Sequence, residues 1–184
     1  RDLFDVKLKV KVAKFKKSKQ LQRLRMAVSN FYITKEAIKN RSSLKFATNT
    51  QDKIIDLLTQ TRRFAILDRQ FLKDQQKELN FINSPDVSTE ELAKLGNKAG
   101  TDYLITAVLK NLKKVTTKKT MKSTGKVFKK TTFSAELSFR IIDVATTQVK
   151  FADTISTTVS SNYKNLRNRL SDKVAETILN AIYP

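Results

Sequence analysis

The chain has 184 residues, 40% hydrophobic and 29% charged, which is near a soluble globular average and enough for one domain with a real core. It contains no cysteine, histidine or tryptophan, which excludes thiolate nucleophiles, disulfides, zinc fingers and imidazole acid–base chemistry. The net charge is +20, and two acid-free segments, Lys7 to Arg25 and Lys110 to Lys130, supply +18 of it with nine basic residues each, while the other 19 basic residues nearly balance the 17 acidic ones.

Residues 4–12, FDVKLKVKV, alternate with period two: Phe4, Val6, Leu8, Val10 and Val12 share one face, and Asp5, Lys7, Lys9 and Lys11 the other. That is the pattern of a strand with one wet face. After a polar connection, LRMAVSNFYI (24–33) predicts a second strand. KFATNTQDKIIDLLTQT (45–61) sets Ala47, Ile54, Leu57, Leu58 and Thr61 at helical spacing. RRFAILDR (62–69) reads as a short strand, apolar enough at Phe64, Ala65, Ile66 and Leu67 to be buried on both sides, and QFLKDQQKELNFI (70–82) returns to helix. SPDVSTEELAKLGNKAG (84–100) carries a capping box, Ser88 with Glu91, and a glycine stop at Gly100, where a left-handed residue is expected.

TDYLITAVLKNL (101–112) is apolar on both faces at its start and is expected to lie centrally in a sheet. TTFSAELSFRIIDV (131–144) alternates through Phe133, Ala135, Leu137, Phe139 and Ile141, and QVKFADTISTTV (148–159) through Val149, Phe151, Ile155 and Val159. The short link between them demands a hairpin. A closing helix places Leu166, Leu170, Val174, Ile178 and Ala181 on one stripe. The expected fold is an α/β (α+β) sandwich, a mixed sheet with a C-terminal antiparallel meander covered by helices. The lysine run 110–130 falls between two pairing strands and is expected to form the tip of their hairpin, a solvated loop that blunts a sheet edge.

The segments RRFAILDRQFLKDQQKEL and ELAKLGNKAGTDYLITAVLKN resemble the CsgG family of envelope proteins, at Arg63, Phe64, Asp68 and Arg69 and then at Leu95, Gly100, Asp102, Tyr103 and Leu104. RMAVSNFYI resembles the family's first strand, and LSFRIIDVATTQVKFADT its hairpin, with Thr147 standing where the family places glycine. The resemblance covers roughly residues 23–182. It implies a fold like the N-terminal domain of TolB and a periplasmic or outer-membrane-associated module. Relatives with distinct tasks are the curli secretion channel, the LpoB activator of penicillin-binding proteins and the middle domain of the flagellar-ring protein FlgT. The stretch LFDVKLKVKVAKF looks like the last strand of the small domain that precedes it in FlgT-like proteins. The expected division is therefore a terminal strand of a preceding domain at 1–20 and a CsgG/TolB-N-like domain at 21–184. The opening residue is not Met and no signal peptide is present, so the chain reads as a fragment or processed product.

The candidate interaction residues are the lysines of the hairpin, Lys113, Lys114, Lys118, Lys119, Lys122, Lys126, Lys129 and Lys130. Ser88, Glu91 and Gly100 are read as structural. A pore is not expected, because the apolar residues between Lys113 and Lys130, Val115, Met121, Val127 and Phe128, do not alternate as a lipid-facing strand must. Specific nucleic-acid binding is not expected either: the basic blocks hold Phe15 and Phe128 as their aromatics and lack a stacking platform. No nucleophile is paired with a base and three glycines cannot build a phosphate cradle. Asp68 beside Arg69 is more plainly a salt bridge or helix cap than a site, and Asp143 a turn residue. The reading is a non-enzyme without cofactor or metal, a scaffold in an oligomeric envelope machine such as a FlgT-like flagellar ring. Its partners would be envelope proteins, in a homo-oligomer or mixed ring, with lipopolysaccharide phosphates as a candidate anion. The alternatives are an LpoB-like activator, a CsgG-like secretion component or a polyanion-binding module.

Overall fold

The computed structural model describes residues 23–37, 41–78 and 87–183. The expected strand at 4–12 and the end of the helix expected at 70–82 lie outside the described residues. In chain order the elements are β1 (Leu24–Val28), β2 (Tyr32–Ile33), α1 (Arg41–Gln60), β3 (Phe64–Ile66), α2 (Arg69–Glu78), α3 (Thr89–Lys98), β4 (Tyr103–Thr120), β5 (Val127–Asp143), β6 (Gln148–Val159) and α4 (Tyr163–Ile182). The sheet runs β3-β1-β4-β5-β6, with β2 also pairing β4. β1 is parallel to β3 and β4, whereas β4, β5 and β6 form the antiparallel meander. This is the mixed α/β sandwich that the element order predicted, with TDYLITAVLKNL at its centre.

Both sheet faces are covered, by chemically similar but separate cores. On one face α1 and α4 pack Phe46, Ile54, Leu58, Leu166, Leu170, Val174 and Ile178 against Met26, Val28, Ile105, Ala107, Leu109 and the alternating row Phe133, Ala135, Leu137, Phe139 and Ile141 of β5. On the other, α2 and α3 bring Leu72, Leu92 and Leu95 onto Ala27, Leu104, Ile142 and Val144. α3 approaches its strand closely at Gly96, where a Cβ would lie 2.5 Å from Val144 Cγ2. Full burial of a Leu or Phe side chain stabilises by about 1.5–3 kcal/mol, so the buried alternating row of β5 contributes substantially to this fold.

Four local readings differ from the structure. The strand expected at 24–33 is interrupted at Ser29–Phe31, and the buried Gln51 side chain of α1 donates to the Ser29 carbonyl (3.0 Å), a side-chain partner for backbone that the ladder leaves at the break. β3 is an outer strand rather than one buried on both sides: Phe64 is buried but Ala65 is exposed, because β3 ends the sheet order. α1 begins at Arg41, earlier than the spacing indicated, and ends before Thr61. The β6 alternation fails at its start because the β5–β6 register shifts between Ile141 and Ile142, so that Ile141 faces Phe151 but Ile142 faces Val149. Val149 is therefore exposed, and Lys150 becomes the extra residue of a bulge.

Candidate functional site

Lysines alone do not make a strand, but the residues between them do. Val115, Thr116, Thr117, Thr120, Val127, Phe128, Thr131 and Thr132 are β-branched or aromatic, the types that favour extended backbone. β4 and β5 accordingly stay paired well beyond the sheet body, from Leu112 opposite Ala135 out to Thr120 opposite Val127. β6 stops at Val159, opposite Phe133, and β2 at Ile33, opposite Leu109. Beyond those points β4 and β5 form a two-stranded ribbon. Its six residues per strand, 115–120 and 127–132, extend it by roughly 20 Å at the usual rise per residue.

The base of the ribbon is fixed and its length is solvated. A register shift between Leu109 and Asn111 leaves Lys110 as an extra residue, which returns Leu112 to the α1/α4 face. There Phe133 packs edge-on against Tyr163 at the start of α4 (4.7 Å between centroids), and the Lys114 ammonium sits 5.7 Å from the Phe133 ring centre. Every residue from Lys113 to Lys130 is exposed. The turn is closed by Met121 N–H donating to the Lys126 carbonyl and Gly125 N–H donating to the Met121 carbonyl, both at 2.9 Å. Halfway along, the Thr116 and Thr131 hydroxyls share a cross-strand hydrogen bond of 3.0 Å.

The structure brings all eight candidate lysines onto this hairpin, Lys113 and Lys114 at the ribbon's base and the other six along it. Lys113, Lys114, Lys118 and Lys119 lie on β4, Lys129 and Lys130 on β5, and Lys122 and Lys126 in the turn. The expectation of a solvated loop is thus corrected: most of the run is regular ladder, and the turn spans only residues 121–126. The missed signal was the interleaved threonines. Lys118 lies directly opposite Lys129. Like charges facing each other across a ladder are destabilising, so the ribbon gathers positive charge against its own stability.

The other residues singled out are engaged in shaping the backbone. Ser88 caps α3, accepting from Glu91 N–H at 3.2 Å, and Gly100 follows that helix with φ +69°. Gly100 N–H donates to Asn97 O and Thr101 N–H to Gly96 O, the paired bonds of a Schellman stop. Asp68 caps α2, accepting from the backbone of Gln70 (2.8 Å) and Phe71 (3.2 Å). Asp143 accepts from Ala145 and Thr146 N–H, both at 3.0 Å, and so builds its turn. Asp102 binds Arg25 twice, accepting from its backbone N–H (2.7 Å) and from its guanidinium (3.1 Å). Partial burial pushes the Asp102 carboxyl up, but the Arg25 hydrogen bonds and charge outweigh it and hold the group below its ordinary value. An open groove of about 400 Å³ beside α1 has Asp52, Asp56 and Asp68 on its wall. Among the described residues no cluster of acidic side chains is arranged to hold a metal ion.

Comparison with known proteins follows the fold. No curated protein matches the sequence. Among solved structures the chain is similar to the hypothetical protein CT253 from Chlamydia trachomatis, with a TM-score of 0.55, 11% identity and coverage of 88% of this chain and 98% of that one. It is also similar to lipoprotein GNA1162 from Neisseria meningitidis, with a TM-score of 0.52, 13% identity and coverage of 85% and 99%. A PelC variant dodecamer from Paraburkholderia phytofirmans gives a TM-score of 0.52, 13% identity and coverage of 86% of each chain. These likenesses establish a shared fold. The sequence model of the family described as "Curli production assembly/transport component CsgG" matches residues 5–168, and the chain belongs to that family.

Proposed function

We propose that this chain is a non-catalytic scaffold of the cell envelope, periplasmic or associated with the outer membrane, that works as a subunit of an oligomeric assembly. The observation that carries the reading is family membership over residues 5–168. Two further observations support it. Asp68 and Asp143, the carboxylates weighed against a catalytic reading, are each committed to backbone N–H groups, as is Asp102. The molecule's distinctive feature is a cationic ribbon held out from a well-packed body, a shape suited to contact rather than to enclosing a substrate. PelC, which shares the fold, is solved as a dodecamer, and GNA1162 is a lipoprotein.

The finer reading is a FlgT-like flagellar-ring component. Its support is the strand pattern at residues 4–12, outside the described residues. An LpoB-like activator would instead co-purify with a penicillin-binding protein, a CsgG-like component with a secreted substrate, and a polyanion binder with nucleic acid or lipopolysaccharide. The test is cross-linking in intact cells, purification from detergent-solubilised envelopes, and light scattering of the product. A homo-oligomer or a complex with envelope proteins is the expected result. A protein that is monomeric at every concentration and carries no envelope component would overturn the scaffold reading.

A further inference from the structure

The outer end of the ribbon is apolar as well as basic. Met121, Val127 and Phe128 are 44%, 55% and 54% exposed, and they sit at or beside the turn. Strand alternation sends Val127, paired with Thr120, and Phe128, paired with Lys119, to opposite faces of the ribbon. With Met121 entering the turn, both faces and the tip carry an apolar group at one level. Lys118, Lys119, Lys129 and Lys130 form a collar at or just behind that level, and Lys122 and Lys126 have stems long enough to turn their ammonium groups back toward it. Between Lys118 and Lys130 there is no acidic residue.

We infer that the ribbon is a membrane-surface anchor: it enters an anionic phospholipid bilayer tip first, with Met121, Val127 and Phe128 at the headgroup–acyl boundary and the lysine collar on the lipid phosphates. Spanning is a different arrangement, and the sequence of each face opposes it. One face reads Lys114, Thr116, Lys118 and Thr120 along β4, and the other Lys113, Val115, Thr117 and Lys119, so neither presents the continuous apolar row a lipid-facing strand requires. Interfacial insertion needs only shallow apolar contact plus phosphate attraction. It also gives the facing pair Lys118 and Lys129 the counter-charge that the chain itself withholds. The inference rests on the ribbon's geometry and not on the assembly reading, and it is tested without any partner protein.

The full chain is floated with vesicles of phosphatidylcholine alone or mixed with phosphatidylglycerol. Binding to the mixed vesicles and not to the neutral ones is expected, weakened by salt. Replacing Lys118, Lys119, Lys129 and Lys130 together by Gln is expected to lower the partition about a hundredfold or more. Replacing Val127 and Phe128 together by Ser should lower it about tenfold at unchanged charge. Because the chain has no tryptophan, Phe128→Trp supplies a unique reporter. Its emission should shift to the blue with anionic vesicles, and should not with polyglutamate or an oligonucleotide. Both variants lie on exposed positions, and unchanged circular dichroism and melting temperature establish that they fold. Full binding by the Val127/Phe128 variant or an unshifted reporter would overturn the proposal by showing that the tip does not insert, and equally tight binding to polyglutamate or the oligonucleotide would overturn it in favour of a docking site for a soluble polyanion.

Discussion

Gly100 and Thr147 occupy the same backbone region with opposite chemistry. Gly100 has φ +69° and space around it, since a Cβ there would meet nothing within 4 Å. Its requirement is purely conformational, and Gly100→Val should cost about 1–2 kcal/mol through the left-handed backbone alone. An unchanged denaturant midpoint would show that α3 stops without it. Thr147 has φ 58°, although it is β-branched and ill suited to that region. The resemblance to the family's hairpin implies glycine at this position, and the backbone here has the positive φ that glycine adopts at least cost. Thr147→Gly should therefore raise stability, by about 0.5–1 kcal/mol after the extra freedom of glycine in the unfolded chain is offset. Urea midpoints at constant m-value measure both. Asp102 makes the third prediction at this scale. Its carboxyl lies below the ordinary 3.8 when folded, so its contribution is complete above that value and is lost as pH falls through the lower folded value. Asp102→Asn should lower the midpoint at neutral pH, with the gap from wild type closing under acid. With side chains 62% and 37% exposed, the Arg25–Asp102 pair is screened and the gap should be modest. A gap independent of pH would assign the loss to packing instead.

At the scale of elements, what could be read in advance depended on whether a residue's neighbours were close in sequence. The capped helix α3 and the rows of β5 and α4 announce themselves by local spacing, and the structure buries Phe133 to Ile141 and Leu166 to Ile178 as that spacing demands. The bulges at Lys110 and Lys150 were not legible, because each is set by a partner strand and shifts the phase of an otherwise regular pattern. The break at Ser29 depends on Gln51, a residue of the next helix. For the candidate site, the position of the lysines on a hairpin was legible, and their conformation was hidden because charge masked the β-forming residues between them. The ribbon's electrostatics yield a further test. Lys118→Glu places opposite charges across from one another at Lys129, and should stabilise by about 0.2–1 kcal/mol, fading at high salt. Replacing Lys113, Lys114, Lys118 and Lys119 by Gln should leave the melting temperature nearly unchanged, because exposed lysines contribute little. A loss of several kcal/mol in either variant would mean that the ribbon is packed against something.

At the scale of the whole molecule, body and ribbon are separable in energetic terms although one pair of strands builds both. The core ends where Leu112, Ala135 and Phe133 are buried, and Phe133 is held there by Tyr163. Past the facing pair Lys114 and Phe133, every β4 residue is exposed, and among the described residues no third strand pairs with the ribbon. Removing residues 115–132 and joining Lys114 to Phe133 through a tight Asn-Gly turn should then leave every core contact in place. The stability of the trimmed chain should stay within about 1 kcal/mol of the parent, since the deleted stretch contributes little burial and carries facing like charges. Its denaturant m-value should fall only slightly, because m follows the surface newly exposed on unfolding. The same deletion removes the eighteen residues that hold Lys118, Lys119, Lys122, Lys126, Lys129 and Lys130, so it asks of the molecule what each half does. A trimmed protein that folds normally but no longer associates with the envelope would assign contact to the ribbon and architecture to the body. A trimmed protein that unfolds would show that the antiparallel ladder is one cooperative unit, with the ribbon a part of the fold. If it folds and associates as before, the contact surface lies on the helices or sheet edges of the body.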